Sequence, residues 1–82
     1  MKPYQARAAR AILRLGIRDV AEGANLSPNT IVRLEDDSAY PSRRSTMALV
    51  RMFYEQRGIA FESNGTFFDE NVGRVFEGLK NG

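Results

Sequence analysis

Apolar positions along the chain follow two rhythms. Up to about Arg57 they recur every three or four residues, the spacing of one face of a helix. Beyond Gly58 they fall in short β-like runs bounded by turn residues. The first rhythm predicts four helices. Residues 3–15 read as the first, because Pro3 suits a position where no backbone N–H is needed and Ala6, Ala8, Ala9, Ala11, Leu13 and Leu15 are good helix formers. Tyr4, Ala8, Ala11, Ile12 and Leu15 share a face that is expected to meet a core. Arg7, Arg10 and Arg14 form a basic stripe on another face, and Gly16 reads as the stop. Residues 17–24 read as a short second helix with Val20, Ala21 and Ala24 inward. After Asn25 and Leu26, Ser27-Pro28-Asn29-Thr30 is a strong start signal: Ser27 caps and Pro28 takes the first turn. The third helix is expected to run to Glu35. Residues 36–41 read as a loop. Ser45 is expected to cap a fourth helix reaching about Arg57, with Met47, Val50, Met52, Phe53 and Tyr54 as its apolar surface and Gly58 as its end.

The second rhythm predicts a hairpin. Ile59-Ala60-Phe61 and Thr66-Phe67-Phe68 flank Asn64-Gly65, a hairpin turn signal, and Val72 to Phe76 reads as a further strand. The expected fold is mainly α: four short helices with a central helix-turn-helix, plus a small C-terminal β-hairpin or ribbon. Residues 1–58 would form the helical part and 59–82 a β-rich extension within one compact domain.

Composition narrows the chemistry. At 82 residues a single core is marginal, and a dimer would add buried surface. The chain has no cysteine and no histidine, so thiolate chemistry and the commonest general base and nitrogen ligand are missing. Ser27 and Ser45 read as caps rather than nucleophiles, and Asp36 and Asp37 are mere sequence neighbours. No phosphate-binding glycine loop or metal-ligand spacing occurs. Neither an enzyme nor a cofactor, metal or small-molecule ligand is expected. No apolar run approaches the roughly 20 residues that span a bilayer, and arginines interrupt the first 30 residues, so no membrane is expected and a cytoplasmic setting is. The net charge of +2 divides unevenly. Residues 1–57 hold ten basic and six acidic side chains, whereas 58–82 hold two basic and four acidic. A basic first part suits a polyanionic partner on one face. Ordinary surface charge is the competing reading.

The segment from Ile17 to Glu35 meets the demands of a helix-turn-helix. Ala21 supplies the small residue where two helices cross, and Asn25 can take the positive φ of the turn. Leu26, Ile31 and Leu34 can anchor the second helix, and Ser27, Asn29 and Thr30 put short polar groups at its start. The pattern Ala21…Asn25-Leu26-Ser27-Pro28-Asn29-Thr30-Ile31-Val32-Arg33-Leu34-Glu35 resembles the Cro and phage-repressor class, also called the xenobiotic-response-element class. The resemblance covers roughly residues 3–62, including Arg57 to Glu62.

That resemblance implies sequence-specific binding of double-stranded DNA by a transcriptional regulator, bacterial or phage, that works by operator occupancy. Asn29, Thr30 and Arg33 would then read bases, and Ser27, Arg43 and Arg44 would grip phosphates. A glutamine common at the start of the second helix is Ile17 here, so Arg18 would take over that phosphate. Arg7 is the member of the first-helix stripe expected nearest DNA, the stripe otherwise reading as a solvated face. Thr30 has two readings of equal weight, a thymine-methyl contact or a brace for the first turn. Glu35, Asp36 and Asp37 would repel phosphate and mark where the third helix leaves the groove. A homodimer on an inverted repeat is expected, formed through Phe61, Phe67, Phe68, Val75 and Phe76. The alternative is a protein-binding module on the same fold, in the manner of an antiactivator or antitoxin.

Overall fold

The computed structural model describes residues 1–38, 41–63 and 65–68, and within them four helices precede a two-stranded antiparallel sheet. The helices are α1 (Pro3–Ile12), α2 (Ile17–Ala24), α3 (Pro28–Leu34) and α4 (Arg44–Glu55). The strands are β1 (Ile59–Glu62) and β2 (Gly65–Phe68). The mainly helical architecture with a terminal hairpin is the one expected. The further strand at Val72 to Phe76 falls outside the described residues. No helix among the described residues is long and apolar enough to cross a membrane.

α1 is shorter than expected and is stopped by a different residue. Arg14, not Gly16, adopts the left-handed conformation, with φ 56°. The Leu15 N–H donates to the Arg10 carbonyl at 3.0 Å and the Arg14 N–H to the Ala11 carbonyl at 3.1 Å, the paired closure that ends many helices. Gly16 instead caps the start of α2, where its N–H donates to Asp19 Oδ2 at 2.7 Å.

The face of α1 also differs. Gln5, Ala6 and Ala9 are buried, whereas Tyr4, Ala11 and Ile12 are exposed and Ala8 and Leu15 are half-buried. Both faces of this alanine-rich helix are apolar, so periodicity alone does not choose between them. The small face wins because Ala6 and Ala9 let α1 approach its neighbours closely. Gln5 then supplies a polar clamp: its Nε2 donates to the Glu62 carbonyl and, at 2.9 Å, to the Gly65 carbonyl. This fixes both strands of the hairpin to α1.

Val20, Ala21, Ala24, Ile31, Leu34, Val50, Phe53, Tyr54 and Ile59 complete the core. α4 packs on α2 through a glycine slot. A Cβ on Gly23 would stand 2.0 Å from Phe53 Cε1, so only glycine admits that ring. The Arg57 guanidinium stacks over the Phe53 ring, 3.6 Å from its centroid. Ser45 does not cap α4. Arg43 holds the cap position without a side-chain hydrogen bond, and the helix ends at Glu55, two residues short of Arg57. Of the expected apolar surface, Val50, Phe53 and Tyr54 are buried, Met47 is half-buried and Met52 is exposed. Gly58, at φ 90°, turns the chain into β1. Glu62 pairs with Gly65 and Ile59 with Phe68, so Gly65 belongs to the ladder rather than to the turn.

Candidate nucleic-acid interface

α2 and α3 are joined by a turn built on Asn25, whose φ 57° and ψ 47° lie in the left-handed region. The Leu26 N–H closes back on the Ala21 carbonyl at 2.8 Å, which fixes where α3 begins. Ser27 then caps α3: its Oγ accepts from the Thr30 N–H at 3.2 Å and lies 2.8 Å from Thr30 Oγ1. Ala21, Ile31 and Leu34 are buried at the α2–α3 contact, with exposures of 2% or less. Leu26, the remaining expected anchor, is half-buried against the same core.

The outward side of α3 carries Asn29, Val32 and Arg33. These are three and four residues apart and share one helical face. All three are exposed. Val32 is 52% exposed, an apolar side chain among polar ones, and the sequence reading passed over it. Thr30 is half-buried, with its hydroxyl engaged by Ser27.

Beside this face lies a shallow concavity lined by Thr30, Arg33, Pro41, Ser42, Arg43 and Thr46. It brings two expected base readers, Thr30 and Arg33, together with one expected phosphate contact, Arg43. Among the described residues, no acidic side chain lines it. The first turn of α4 that forms one wall has no acidic residue and no side-chain cap. Its leading N–H groups are thus open to an acceptor. Arg44 and Ser45 are exposed at the same helix start.

The remaining arginines divide. Arg18 is exposed near the start of α2, away from the concavity lining. Arg7 is turned to the end of α3: one of its guanidinium nitrogens donates to the Glu35 carbonyl and another to Asp37 Oδ2 at 2.9 Å. Arg10 is not part of a solvated stripe. Its Nε and Nη2 bind Glu35 Oε2 and Oε1 at 2.9 and 3.0 Å, a bidentate pair in which Glu35 is 6% exposed. Hydrogen bonding to Glu35 holds the Arg10 guanidinium above its ordinary pKa despite partial burial. Glu35 is therefore an internal partner rather than a surface charge. Asp36 is exposed, and the Ser38 hydroxyl and N–H hold its carboxyl below the usual range. The ion pairs among the described residues use Arg7, Arg10 and Arg51, and none uses Arg18, Arg33, Arg43 or Arg44.

Of the residues expected at a dimer contact, Phe61 is half-buried against Tyr54, with ring centroids 6.1 Å apart. Phe67 and Phe68 are 52% and 58% exposed. Val75 and Phe76 lie outside the described residues. Gln5 and the Arg10–Glu35 pair escaped the sequence reading because their partners are 57, 60 and 25 positions away. Gly23, a glycine inside a short helix, was the one local sign of the Phe53 slot. Comparison with family models, curated proteins and solved structures returned no match.

Proposed function

We propose that the chain binds double-stranded DNA sequence-specifically and regulates transcription by occupying an operator. The observation that carries this reading is the face made by α3 and the start of α4. Asn29, Val32 and Arg33 project from a capped helix, and Arg33 and Arg43 line one concavity with no acidic side chain among its described residues. A helix so fixed at its start suits the major groove, and an open helix terminus flanked by arginines suits the backbone beside it.

The roles follow from side-chain chemistry. The Arg33 fork matches guanine O6 and N7, and the Asn29 amide matches adenine N6 and N7. Val32 offers an apolar contact for a thymine methyl. Thr30 serves as a brace for the first turn, since Ser27 engages its hydroxyl. Ser27, Arg43 and Arg44 contact phosphates, and Arg18, exposed near the start of α2, contacts one separately. Arg7 reaches a phosphate only by exchanging Asp37 for it. A homodimer on an inverted repeat doubles the short site that one module reads, with half-site centres about 10 bp apart or a multiple of that. Phe67 and Phe68, exposed on β2, are the described residues free to meet a partner copy.

Selection from a random duplex pool should enrich one sequence family, with binding that weakens steeply as salt rises. On the selected site, Arg33→Ala should cost about 1–3 kcal/mol and relax preference at a single base pair. No enrichment and no salt dependence would sink this reading and favour the protein-binding module. Equal weakening on all duplexes would make Arg33 a phosphate contact.

A further inference from the structure

A second cavity adjoins the first. Its volume is about 360 Å³, at the lower end of the roughly 300–1,000 Å³ of small-molecule sites. Among the described residues, Met1, Pro3, Leu34, Pro41 and Met47 make its apolar part. Leu34 is 1% exposed and belongs to the core, and Met1 and Met47 are half-buried against that core. The lining is drawn from the start of the chain, the end of α3, the loop after it and α4, so no local run of sequence announced it. Two methionines suit a wall that must adapt to the shape of a ligand, because the thioether chain is unbranched and flexible.

The polar lining selects the head group. Asp36, Asp37, Lys2 and Arg33 stand around the apolar part. Both carboxylates are already engaged. Asp37 Oδ2 accepts from Arg7 at 2.9 Å, and Asp36 Oδ1 accepts from the Ser38 hydroxyl and N–H at 2.7 and 2.9 Å. Lys2 and Arg33 are exposed, and neither joins an ion pair among the described residues. With Arg7 included, three cations face two carboxylates, a surplus of one positive charge. A single anionic head is the complement. A cationic head would meet Lys2 and Arg33 with both carboxylates taken. A bare phosphate would leave the apolar part unfilled.

This cavity shares Arg33, Pro41 and Ser42 with the concavity beside α3. The Arg33 fork cannot hold a carboxylate and a guanine edge at once. We propose that the cavity binds a small monocarboxylate with an apolar body, its head on Arg33 and Lys2, and that the bound anion releases DNA by withdrawing Arg33. The anion site stands on this lining alone, whereas the release rests on the DNA-binding reading above. Coupling through a shared residue is reciprocal, so ligand and duplex weaken each other by the same factor.

Phenylacetate is the probe, added at constant ionic strength to full-length protein with isotope-labelled methionine methyl groups. It should shift the Met1 and Met47 signals saturably. The signal of Met52, exposed on α4 and outside the lining, should stay in place. Acetate, which lacks the apolar body, and phenethylammonium, which reverses the charge, should shift none of them. Lys2→Ala and Arg33→Ala should each raise the Kd for phenylacetate about tenfold or more, through loss of a charge-assisted hydrogen bond. Both positions are exposed, so the variants keep the fold. On the duplex selected for wild type, anisotropy should show phenylacetate raising the Kd of wild type but not that of Arg33→Ala. Methyl signals that do not move, or that move as far with phenethylammonium, would overturn the site. Phenylacetate binding with duplex affinity unchanged would overturn the release and leave the DNA reading standing. Absence of duplex binding without phenylacetate is a failure of the DNA reading, and the release falls with it while the methyl shifts decide the anion site.

Discussion

Two residues with side chains sit in the left-handed region, and they are not equally suited to it. Asn25, at φ 57°, tolerates the conformation through its short polar side chain. Arg14, at φ 56°, has no such relief. Arg14→Gly should stabilise the protein by about 1 kcal/mol, seen as a rise of about 4–8 °C in Tm. An unchanged Tm would show that Arg14 carries no strain. At Asn25, glycine should be neutral or stabilising and valine clearly destabilising, because a β-branched side chain fits this region poorly. Equal Tm values would remove the turn from the argument. Tyr54 poses a different question. Its hydroxyl is buried with no hydrogen-bond partner among the described residues, and burial pushes its pKa above the usual value near 10. A raised folded-state pKa means that this contribution to stability is complete below pH about 10 and is lost as pH climbs beyond it. Denaturant midpoints at pH 7 and in the alkaline range should show wild type losing more stability than Tyr54→Phe. At pH 7 the variant should cost little, since the hydroxyl has no partner to lose. An equal alkaline loss in both proteins would place the titration elsewhere.

The elements were legible where their signals are local. Ser27 and Pro28 start α3 and Asn25 ends α2 at the expected positions, because each acts through bonds to residues a few places away. The errors come from features that sequence spacing does not encode. α4 begins one residue before Ser45, at Arg44, so the cap position falls to Arg43. The buried face of α1 is set by how closely its neighbours approach, which a pattern of alanines on two faces leaves open. Arg10 and Glu35 tie α1 to the end of α3 across 25 positions, so nothing nearby announces the pair. Removing one partner should be far worse than removing both. Arg10→Met should cost on the order of 3–5 kcal/mol by leaving a buried carboxylate unpaired, whereas Arg10→Met with Glu35→Leu should recover much of the loss. Denaturant titration of the single and double variants reads the difference directly. If the double variant is no better than the single, Glu35 is not the group that Arg10 neutralises.

On the scale of the molecule, the internal ion pairs sort the basic side chains. Arg7 and Arg10 are held at the α3 end, and Arg51 pairs with Glu55 along α4 at 3.2 Å. Arg33, Arg43 and Arg44 are left exposed on or beside the concavity. The sequence named these three because they lie in or just after a recognisable motif, but it could not tell them from Arg7 and Arg10, whose partners are set by tertiary packing. This division predicts how salt should act. Each arginine that neutralises a phosphate releases counterions, and the dependence of affinity on salt counts those contacts. Replacing Arg43 and Arg44 together by alanine should weaken binding to every duplex alike and lower the slope of log affinity against log salt by about 2. Arg7→Ala should leave that slope nearly unchanged, because Asp37 already neutralises its charge, although stability should fall slightly with the lost contact to the α3 end. Filter binding or anisotropy across a salt series, on the selected site and on a scrambled duplex, measures both slopes. If Arg7→Ala lowers the slope as much as either loop arginine does, the Arg7–Asp37 pair opens on DNA and the interface extends along α1. If the double variant leaves the slope unchanged, the start of α4 faces away from the duplex and the proposed groove geometry is wrong.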